Sequence, residues 1–420
     1  MSLPSPTLSI VLDRHLEDAT FLFLQWDAAV NEPHHNLNDL EQLEERLNAH
    51  LDGLQVAGEI AWQPTLTATQ TGEPGEIFVA AWLATLELDS KKLDQVLSTS
   101  QPHQDTINAL VSAIAWYPLE YTRPWLTAFI AANDPLYQAL GLALFTHYRV
   151  DPGQSLVQAL ETPHALTLSP ALRAIGELKR QDLQAILTLF TQNENPDLAY
   201  LANWSAALLG DWSAVANLTQ LALQNTPHAE QAIKLAARKL SHIERKNLLE
   251  TLSENADTTR LAIQGMGYSG DPFWLPVILK HMHDLNLARV AGEAFSLITG
   301  LDLAYLDMDR DWPEGFESGP NEDPLDDNVE LDADLNLPWP DSAKIQEWWQ
   351  ANAAQFTSGQ RYLCGKPIDK TQCYQVLKNG YQRQRHAAAL ELALMGEPYF
   401  NVCAPAKRQK ALLEHIANAD

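Results

Sequence analysis

Three aspartates alternate along the stretch LDMDRDW, at Asp307, Asp309 and Asp311. Carboxylates at alternate positions are typical of calcium loops, but an EF-type loop also needs glycine at its sixth position and glutamate at its twelfth. Counted from Asp307, those two positions hold Trp312 and Ser318. The spacing therefore argues against specific calcium binding, and we predict that the protein holds no metal and no other cofactor.

Two other interpretations of this stretch remain open. It is a solvated acidic connection folded against the chain, or it is a docking strip for a protein partner, with Trp312 and Phe316 as aromatic anchors. Residues 302–336 hold 13 acidic residues and one arginine, whereas residues 342–420 hold ten basic and six acidic residues. We expect the acidic segment to fold onto this net-basic C-terminal part. Replacing the three alternating aspartates with asparagine should then leave partner binding nearly unchanged. The basic residues expected to receive the segment are Arg383, Arg385, Lys407, Arg408 and Lys410.

Two adjacent tryptophans, Trp348 and Trp349 in KIQEWWQANAAQF, are a second candidate for contact with a partner. Adjacent positions on an amphipathic helix cannot both point inward, so we expect one of them in the core and the other at its rim. Tryptophan is a frequent anchor of protein interfaces. We therefore count both as possible partner-binding residues.

The other reactive residue types show no catalytic arrangement. The three cysteines, Cys364, Cys373 and Cys403, are odd in number and form no CxxC pair, so they indicate neither a disulfide framework nor a zinc site. The chain contains no HExxH, no phosphate-binding P-loop and no GxGxxG. GYSGD lacks the pattern of a nucleophile elbow. We predict that the protein is not an enzyme.

The composition indicates which partners and which compartment to expect. With 28 Lys+Arg against 54 Asp+Glu, the formal net charge is −26, which repels nucleic acid and favours a basic protein partner. The N-terminal sequence has no basic region before its apolar residues, unlike a signal peptide, and no apolar run is long enough to span a membrane. We expect a cytoplasmic protein, since few cysteines suit a reducing compartment.

Helical repeats organise most of the chain. The apolar residues of RVAGEAFSLITGL recur at helical spacing, and residues that end the first helix of each apparent pair recur at intervals of 26 to 34 residues. Those anchor residues are Leu86, Trp116, Leu144, Ile175, Leu209, Leu240 and Met266. The pattern predicts an all-α fold, a HEAT-like helical-repeat solenoid with a long concave surface.

Composition divides this solenoid into four segments. We predict an N-terminal helical segment and connection (1–75), HEAT-like repeats (76–301), an acidic irregular loop insertion (302–341) and a C-terminal helical part (342–420). Within the first segment, residues 53–75 are the one interior stretch without a helical pattern. We expect a loop or a short hairpin there.

The C-terminal half resembles an uncharacterised bacterial family of HEAT-like repeat proteins encoded beside type VI secretion genes. The resemblance is carried by RVAGEAFSLITGLDL, by an acid-rich stretch ending in LPWPDSAKIQEWWQ, and by GQRYLCGKPI and YQRQRHAAALELAL. It is specific over about residues 287–400 and extends to the remainder only as a repeat pattern. No catalytic residues are established for that family.

The resemblance implies a role with secretion effectors, and the repeats favour a non-catalytic protein-binding scaffold. We expect an adaptor or chaperone that holds an effector, or the spike that carries it, before loading. The alternative is a cytoplasmic immunity protein that binds and blocks a toxin domain, and the acidity of the chain suits a basic toxin. Neither interpretation involves nucleic acid or a membrane.

Overall fold

A computed structural model describes residues 6–99, 104–320 and 331–419, and these residues are mostly helical, which confirms the all-α prediction. In the N-terminal half the helices are α1 Pro6–Ala29, α2 Leu37–Ala57, α3 Glu59–Ala68, α4 Pro74–Leu86, α5 Ser90–Thr99, α6 Gln104–Ala115, α7 Leu119–Ile130, α8 Pro135–His147, α9 Gln154–Ala159, α10 Ala165–Glu177 and α11 Gln184–Leu187. They are followed by α12 Pro196–Leu208, α13 Trp212–Leu223, α14 Ala229–Lys239, α15 His242–Ser253, α16 Ala256–Ser269, α17 Leu275–His281, α18 Ala288–Thr299, α19 Ser342–Asn352, α20 Lys370–Asn379, α21 Gln382–Leu394 and α22 Ala406–Ala419.

Strands are short in the described residues. β1 Asp309–Arg310 pairs antiparallel with β2 Trp339–Pro340, and β3 Tyr362–Leu363 pairs antiparallel with β4 Lys366–Pro367. The first pair brings Asp309 and Arg310, inside the predicted acidic insertion, beside Trp339 and Pro340 near its C-terminal end. Residues 321–330 of the predicted acidic insertion lie outside the described residues.

The long helices recur at a regular interval. From α4 to α18, every second helix begins at one of residues 74, 104, 135, 165, 196, 229, 256 and 288. Successive starts differ by 30, 31, 30, 31, 33, 27 and 32 residues. Each of these helices up to α16 is followed by at least one further helix before the next start, so the helices come in pairs along the chain.

Polar caps and special turn residues fix where these helices begin and end. The side chains of Asp211 and Asn255 accept hydrogen bonds from backbone amides in the first turns of α13 and α16, and Ser241 forms a capping box at the start of α15. Gly270 and Gly300 end α16 and α18 in the left-handed conformation, which glycine adopts without steric cost.

The chain forms two compact units, residues 1–205 with 398–420 and residues 206–397. This division follows different lines from the four segments predicted from the sequence. In the first unit, α1 packs on α2 and α4, and α4, α6, α8 and α10 pack on one another in succession. Its core includes Phe23 stacked on Phe78, with ring centroids 3.9 Å apart. The same unit seats α22 on α2.

In the second unit, α14, α16 and α18 pack in succession, and β2 and β3 lie against α18. Close packing of α16 on α18 depends on Gly267, because a Cβ added there would meet Ala294 Cα at 2.9 Å. The buried face of α18 includes Val290, Ala294 and Ile298, the residues whose spacing indicated a helix in the sequence.

The expectation of a loop or hairpin over residues 53–75 is wrong. The first helices continue through it: α2 extends to Ala57, α3 follows directly, and a 3-10 turn at Thr69–Thr71 leads to α4. Gly58, with φ 56°, both ends α2 and begins α3, while Pro64 lies inside α3. Gly58 is therefore a joint between two helices, whereas Pro64 is accommodated within one.

Two further findings bear on environment. None of the helices in the described part of the chain combines the length and the apolar character needed to cross a membrane. The three cysteines carry free thiols.

Candidate functional site: the acidic segment and its arginine anchors

The acidic segment is held by two arginines, one on α16 and one on α18. Arg289, in the first turn of α18, donates from both terminal nitrogens to the carboxylate of Asp332, at 2.6 and 2.9 Å, and also to the carbonyl oxygen of Asp334. Arg260 of α16 binds the carboxylate of Asp334 with both of its terminal nitrogens. Such two-point pairs fix direction as well as distance, so they orient the segment on α16 and α18.

These ion pairs are largely removed from solvent. The side chains of Arg289 and Asp334 are 4% and 5% exposed, and that of Asp332 is 11% exposed. Burial alone would raise the pKa of Asp332, but the hydrogen bonds from Arg289, the backbone and Ser318, together with the charge of Arg289, hold that pKa below its usual value. Asp332 is therefore ionised at neutral pH.

Three aromatic rings enclose the same arginine. The guanidinium carbon of Arg289 lies 4.7 Å from the ring centroid of Trp339, 5.3 Å from that of Trp312 and 5.9 Å from that of Phe316. Trp312 and Phe316 each meet the Trp339 ring edge to face, and Trp312 Nε1 donates to the Phe316 carbonyl oxygen at 2.8 Å. Cations over aromatic faces and edge-to-face rings are both favourable contacts, so Trp312 and Phe316 fix the segment to α18 through Arg289.

Among the described residues, the ion pairs of the acidic segment come from α16 and α18, while any contact of the C-terminal basic residues with residues 321–330 lies outside the described residues. Arg383 instead pairs with Glu293 of α18, and the buried Arg385 donates to Leu377 and Gln382. In the first unit, Arg408 donates to the carbonyl oxygens of Ala115 and Tyr117, and Lys410 pairs with Glu41. The C-terminal part contributes two other contacts, from Lys344 to the carbonyl oxygen of Asp307 and from Tyr381 to the carboxylate of Asp302.

The carboxylates of the three alternating aspartates have no such contacts. The carboxylates of Asp307, Asp309 and Asp311 form no ion pair or hydrogen bond with any described residue. Asp307 and Asp311 are exposed and Asp309 is half-buried. Asp307 also has φ 53°, an uncommon conformation for a residue other than glycine. The alternating aspartates thus leave three carboxylates without an ion-pair partner among the described residues.

Large apolar side chains lie among these acids. Tyr305 is 82% exposed, Leu331 is 80% exposed and Trp312 is 51% exposed, and Leu306 and Leu335 are exposed as well. We call these apolar residues, together with the three alternating aspartates, the docking face: Tyr305, Leu306, Asp307, Asp309, Asp311, Trp312, Leu331 and Leu335. Acidic and apolar side chains alternating on a fixed backbone are suited to a partner that is both basic and apolar.

The tryptophan pair on α19 has a different place. Trp348 and Trp349 are both half-buried, and both meet the ring of the fully buried Phe295 edge to face, at 5.9 and 6.3 Å. Trp349 also contacts Phe356. The expected division into one core and one rim residue is therefore not observed, because the helix meets Phe295 from a direction that both rings can reach.

The described part of the chain contains no cluster of side chains suited to binding a metal ion. Within residues 6–99, 104–320 and 331–419, no group of three or more histidine, cysteine, aspartate or glutamate side chains is placed to hold an ion.

The sequence did not point to the residues that anchor the segment. Asp332 and Asp334 alternate like the aspartates of LDMDRDW, and that pattern was the available signal for them. Nothing in the local sequence distinguishes Arg260 and Arg289 from other helical arginines, because their partners lie 74 and 43 residues further along the chain. Trp339 was overlooked because its strand has only two residues.

Comparisons with models of protein families, with curated proteins and with solved structures found no match to this chain.

Proposed function

We propose that the protein is a non-catalytic binding scaffold, a HEAT-like helical-repeat solenoid whose partner docks on the docking face of the acidic segment. One observation carries this proposal. The segment is fixed by buried ion pairs and aromatic contacts, and it also carries unpaired carboxylates and exposed apolar side chains. The regular helix starts at intervals of about 30 residues support the repeat architecture.

Anchoring favours binding for an energetic reason. A mobile loop loses conformational freedom when it binds, at about 0.5–1.5 kcal/mol for each immobilised side chain, and a loop that is already ordered avoids much of that cost. Exposed tyrosine, tryptophan and leucine provide apolar area for a partner to bury. The unpaired aspartates would accelerate encounter with a cationic surface, since long-range attraction raises association rates.

The partner we propose is a type VI secretion effector or the spike component that carries it. Support comes from the sequence resemblance over about residues 287–400, which includes the acidic segment, α18 and α19. The protein would then act in the cytoplasm as an adaptor or chaperone, holding its partner before loading. An adaptor needs a binding surface and no catalytic group, which agrees with the docking face.

A second candidate is supported by the charge of the chain. A net charge of −26, with part of it unpaired on the docking face, is suited to neutralising a cationic toxin domain. In that case the protein would be an immunity protein that blocks the active site of a toxin. Both functions use the same surface, so binding data alone do not separate them.

Gene deletion in a producing strain distinguishes the two functions. If the protein is an adaptor, deletion should abolish secretion of one effector without exposing the strain to killing by sister cells. If it is an immunity protein, deleted cells should be killed by their sisters and rescued when the protein is expressed in the recipient. A deletion that changes neither secretion nor survival would contradict both proposals.

The docking face itself is tested by charge replacement. Because the carboxylates of Asp307, Asp309 and Asp311 pair with no described residue, we reverse the expectation drawn from the sequence: changing all three to asparagine should weaken binding of the identified effector or spike partner. Each exposed charge pair contributes about 0.2–1 kcal/mol, so the triple change should weaken binding roughly threefold to a hundredfold at low salt. The difference should shrink as salt is added.

A matched control removes the same charge elsewhere. Glu17, Glu45 and Asp52 are exposed acids of the first unit without an ion pair to any described residue, and changing them to Gln, Gln and Asn should leave affinity unchanged. Equal effects of the two triple variants would show that total charge, and not the docking face, determines binding.

A further inference from the structure

Two arginines of the first unit share one buried carboxylate. Glu177, at the end of α10, accepts a hydrogen bond from Arg173 Nε at 2.6 Å and another from Arg149 Nη1. Its side chain is 1% exposed. Burial acts to raise the pKa of Glu177, but the charges and hydrogen bonds of the two arginines hold that pKa below its usual value. Glu177 is therefore ionised, and its single charge is set against two.

A third arginine lies near the first two, beside His147. Arg408 donates to the backbone carbonyl oxygens of Ala115 and Tyr117 and lies over the Tyr148 ring. The charges of all three guanidinium groups act on the pKa of the neighbouring His147. Burial, and then the charges of Arg408, Arg149 and Arg173, lower the pKa of His147 to about 3. Beside this neutral histidine, Arg149 and Arg173 are set against the one carboxylate of Glu177, while Arg408 also lies near the carboxylates of Glu44 and Glu120.

Arg149 and Arg173 also have N–H groups that donate to no described residue. Arg149 is fixed by bonds from Nε to the Tyr399 carbonyl oxygen at 2.6 Å and from Nη1 to Glu177 and Thr146, while its Nη2 has no hydrogen-bond partner among the described residues. Arg173 donates a hydrogen bond only from Nε, and neither of its terminal nitrogens has a hydrogen-bond partner among the described residues. The Arg173 side chain is nevertheless 60% exposed. Its guanidinium is thus oriented by a buried carboxylate and open at its outer edge.

We propose that Arg173, supported by Arg149, binds an oxyanion, either a carboxylate or a phosphate group, at this outer edge. The two terminal nitrogens of a guanidinium match the two oxygens of such a group, and a side chain already oriented by Glu177 loses little freedom on binding. Tyr399, which lies under Arg149 and meets Trp204 edge to face at 5.8 Å, provides an aromatic wall beside the site. The inference concerns the first unit and does not depend on the proposed function of the acidic segment.

The test is a titration of the full-length protein, labelled with 15N-arginine, with inorganic phosphate and separately with malonate. Chloride keeps the ionic strength constant. The Nε–H signal of Arg173, assigned from its absence in Arg173→Gln, should shift and saturate. If only phosphate saturates the shift, the site binds phosphate groups, and if only malonate does, it binds carboxylates. If both anions saturate it, the site recognises the oxyanion chemistry that the two share.

Two variants and a control separate this site from general charge. In Arg173→Gln, binding read from the remaining arginine signals and from calorimetry should weaken at least about tenfold, the usual effect of losing a hydrogen bond to a charged group. Arg173→Lys keeps the positive charge but loses the two terminal nitrogens of the guanidinium. It should therefore weaken binding less than Arg173→Gln does. Arg180→Gln is the control, because Arg180 already pairs with Asp151 and Asp182. No saturable shift with either anion, or equal binding in Arg173→Gln and the parent, would overturn the proposal.

Discussion

Arg289 is the residue on which the ordered state of the acidic segment depends most. It donates two hydrogen bonds to Asp332, lies against three aromatic rings and is almost fully buried. Replacing it with glutamine removes the positive charge and leaves the Asp332 carboxylate without its ion-pair partner. We expect the segment to open while the helices on either side of it stay folded.

The expected magnitude follows from the burial of the pair. Removing one partner of a buried ion pair costs about 3–5 kcal/mol. Because Asp332 keeps some contact with solvent and can be rehydrated when the segment opens, we take the lower end, about 3 kcal/mol. That free energy corresponds to roughly a hundredfold increase in the equilibrium constant for opening the segment. Loss of the cation–π contacts acts in the same direction.

Hydrogen exchange of the segment's own amides measures this opening. The amide of Asp341 donates to the Met308 carbonyl oxygen and that of Leu337 to the Asp334 carbonyl oxygen, so both are protected while the segment is ordered. In Arg289→Gln their exchange should accelerate about a hundredfold, with little change in α14. The control is Arg310→Gln, an exposed arginine of β1 with no ion pair to a described residue. Unchanged exchange in Arg289→Gln would refute the anchoring argument.

Two further predictions concern packing and pH. The buried carboxylate of Glu44 accepts hydrogen bonds from the Ala406 amide at the start of α22, and burial raises its pKa to about 7. An acid with a raised pKa binds its proton more tightly in the folded state. The parent should therefore lose up to about 3 kcal/mol of unfolding free energy relative to Glu44→Gln as pH rises from 4.5 to 7, measured by denaturant titration across that range. Gly267→Ala should destabilise the protein by about 1–3 kcal/mol, since the added methyl group meets the backbone of Ala294. Gly292→Ala, whose methyl group meets the flexible end of a side chain, should cost clearly less in the same thermal melt, and equal costs would contradict the packing argument.

Much of the helical organisation could be predicted from the sequence because it depends on local periodicity. The apolar spacing of RVAGEAFSLITGL indicated α18, and the anchor residues Leu86 and Ile175 lie at or near the ends of α4 and α10. The stretch 53–75 was misjudged for an equally local reason. Its glycines and prolines are typical of loops, and only the packing of α3 on its neighbours shows that they lie within and between helices.

The anchoring of the acidic segment could not be predicted, because net charge is a sum over a whole region. Residues 1–301 are net acidic, and that sum conceals the two arginines that α16 and α18 bring together. Ion pairing depends on distances of a few ångströms, and a count of charges contains no distances. The aromatic anchors Trp312 and Phe316 were identified correctly, whereas the side chain that they enclose required the fold.

The most direct test of the account is site-specific photo-crosslinking in cells that express the secretion system. A photoreactive residue at position 306, on the docking face, should crosslink to a single effector or spike protein. The same residue at position 189, where Leu189 of the first unit is 77% exposed, should not. Adding the triple aspartate-to-asparagine change should reduce the crosslink at 306. Equal crosslinking from both positions, or a partner captured at 189 and not at 306, would contradict the claim that the acidic segment is the docking site.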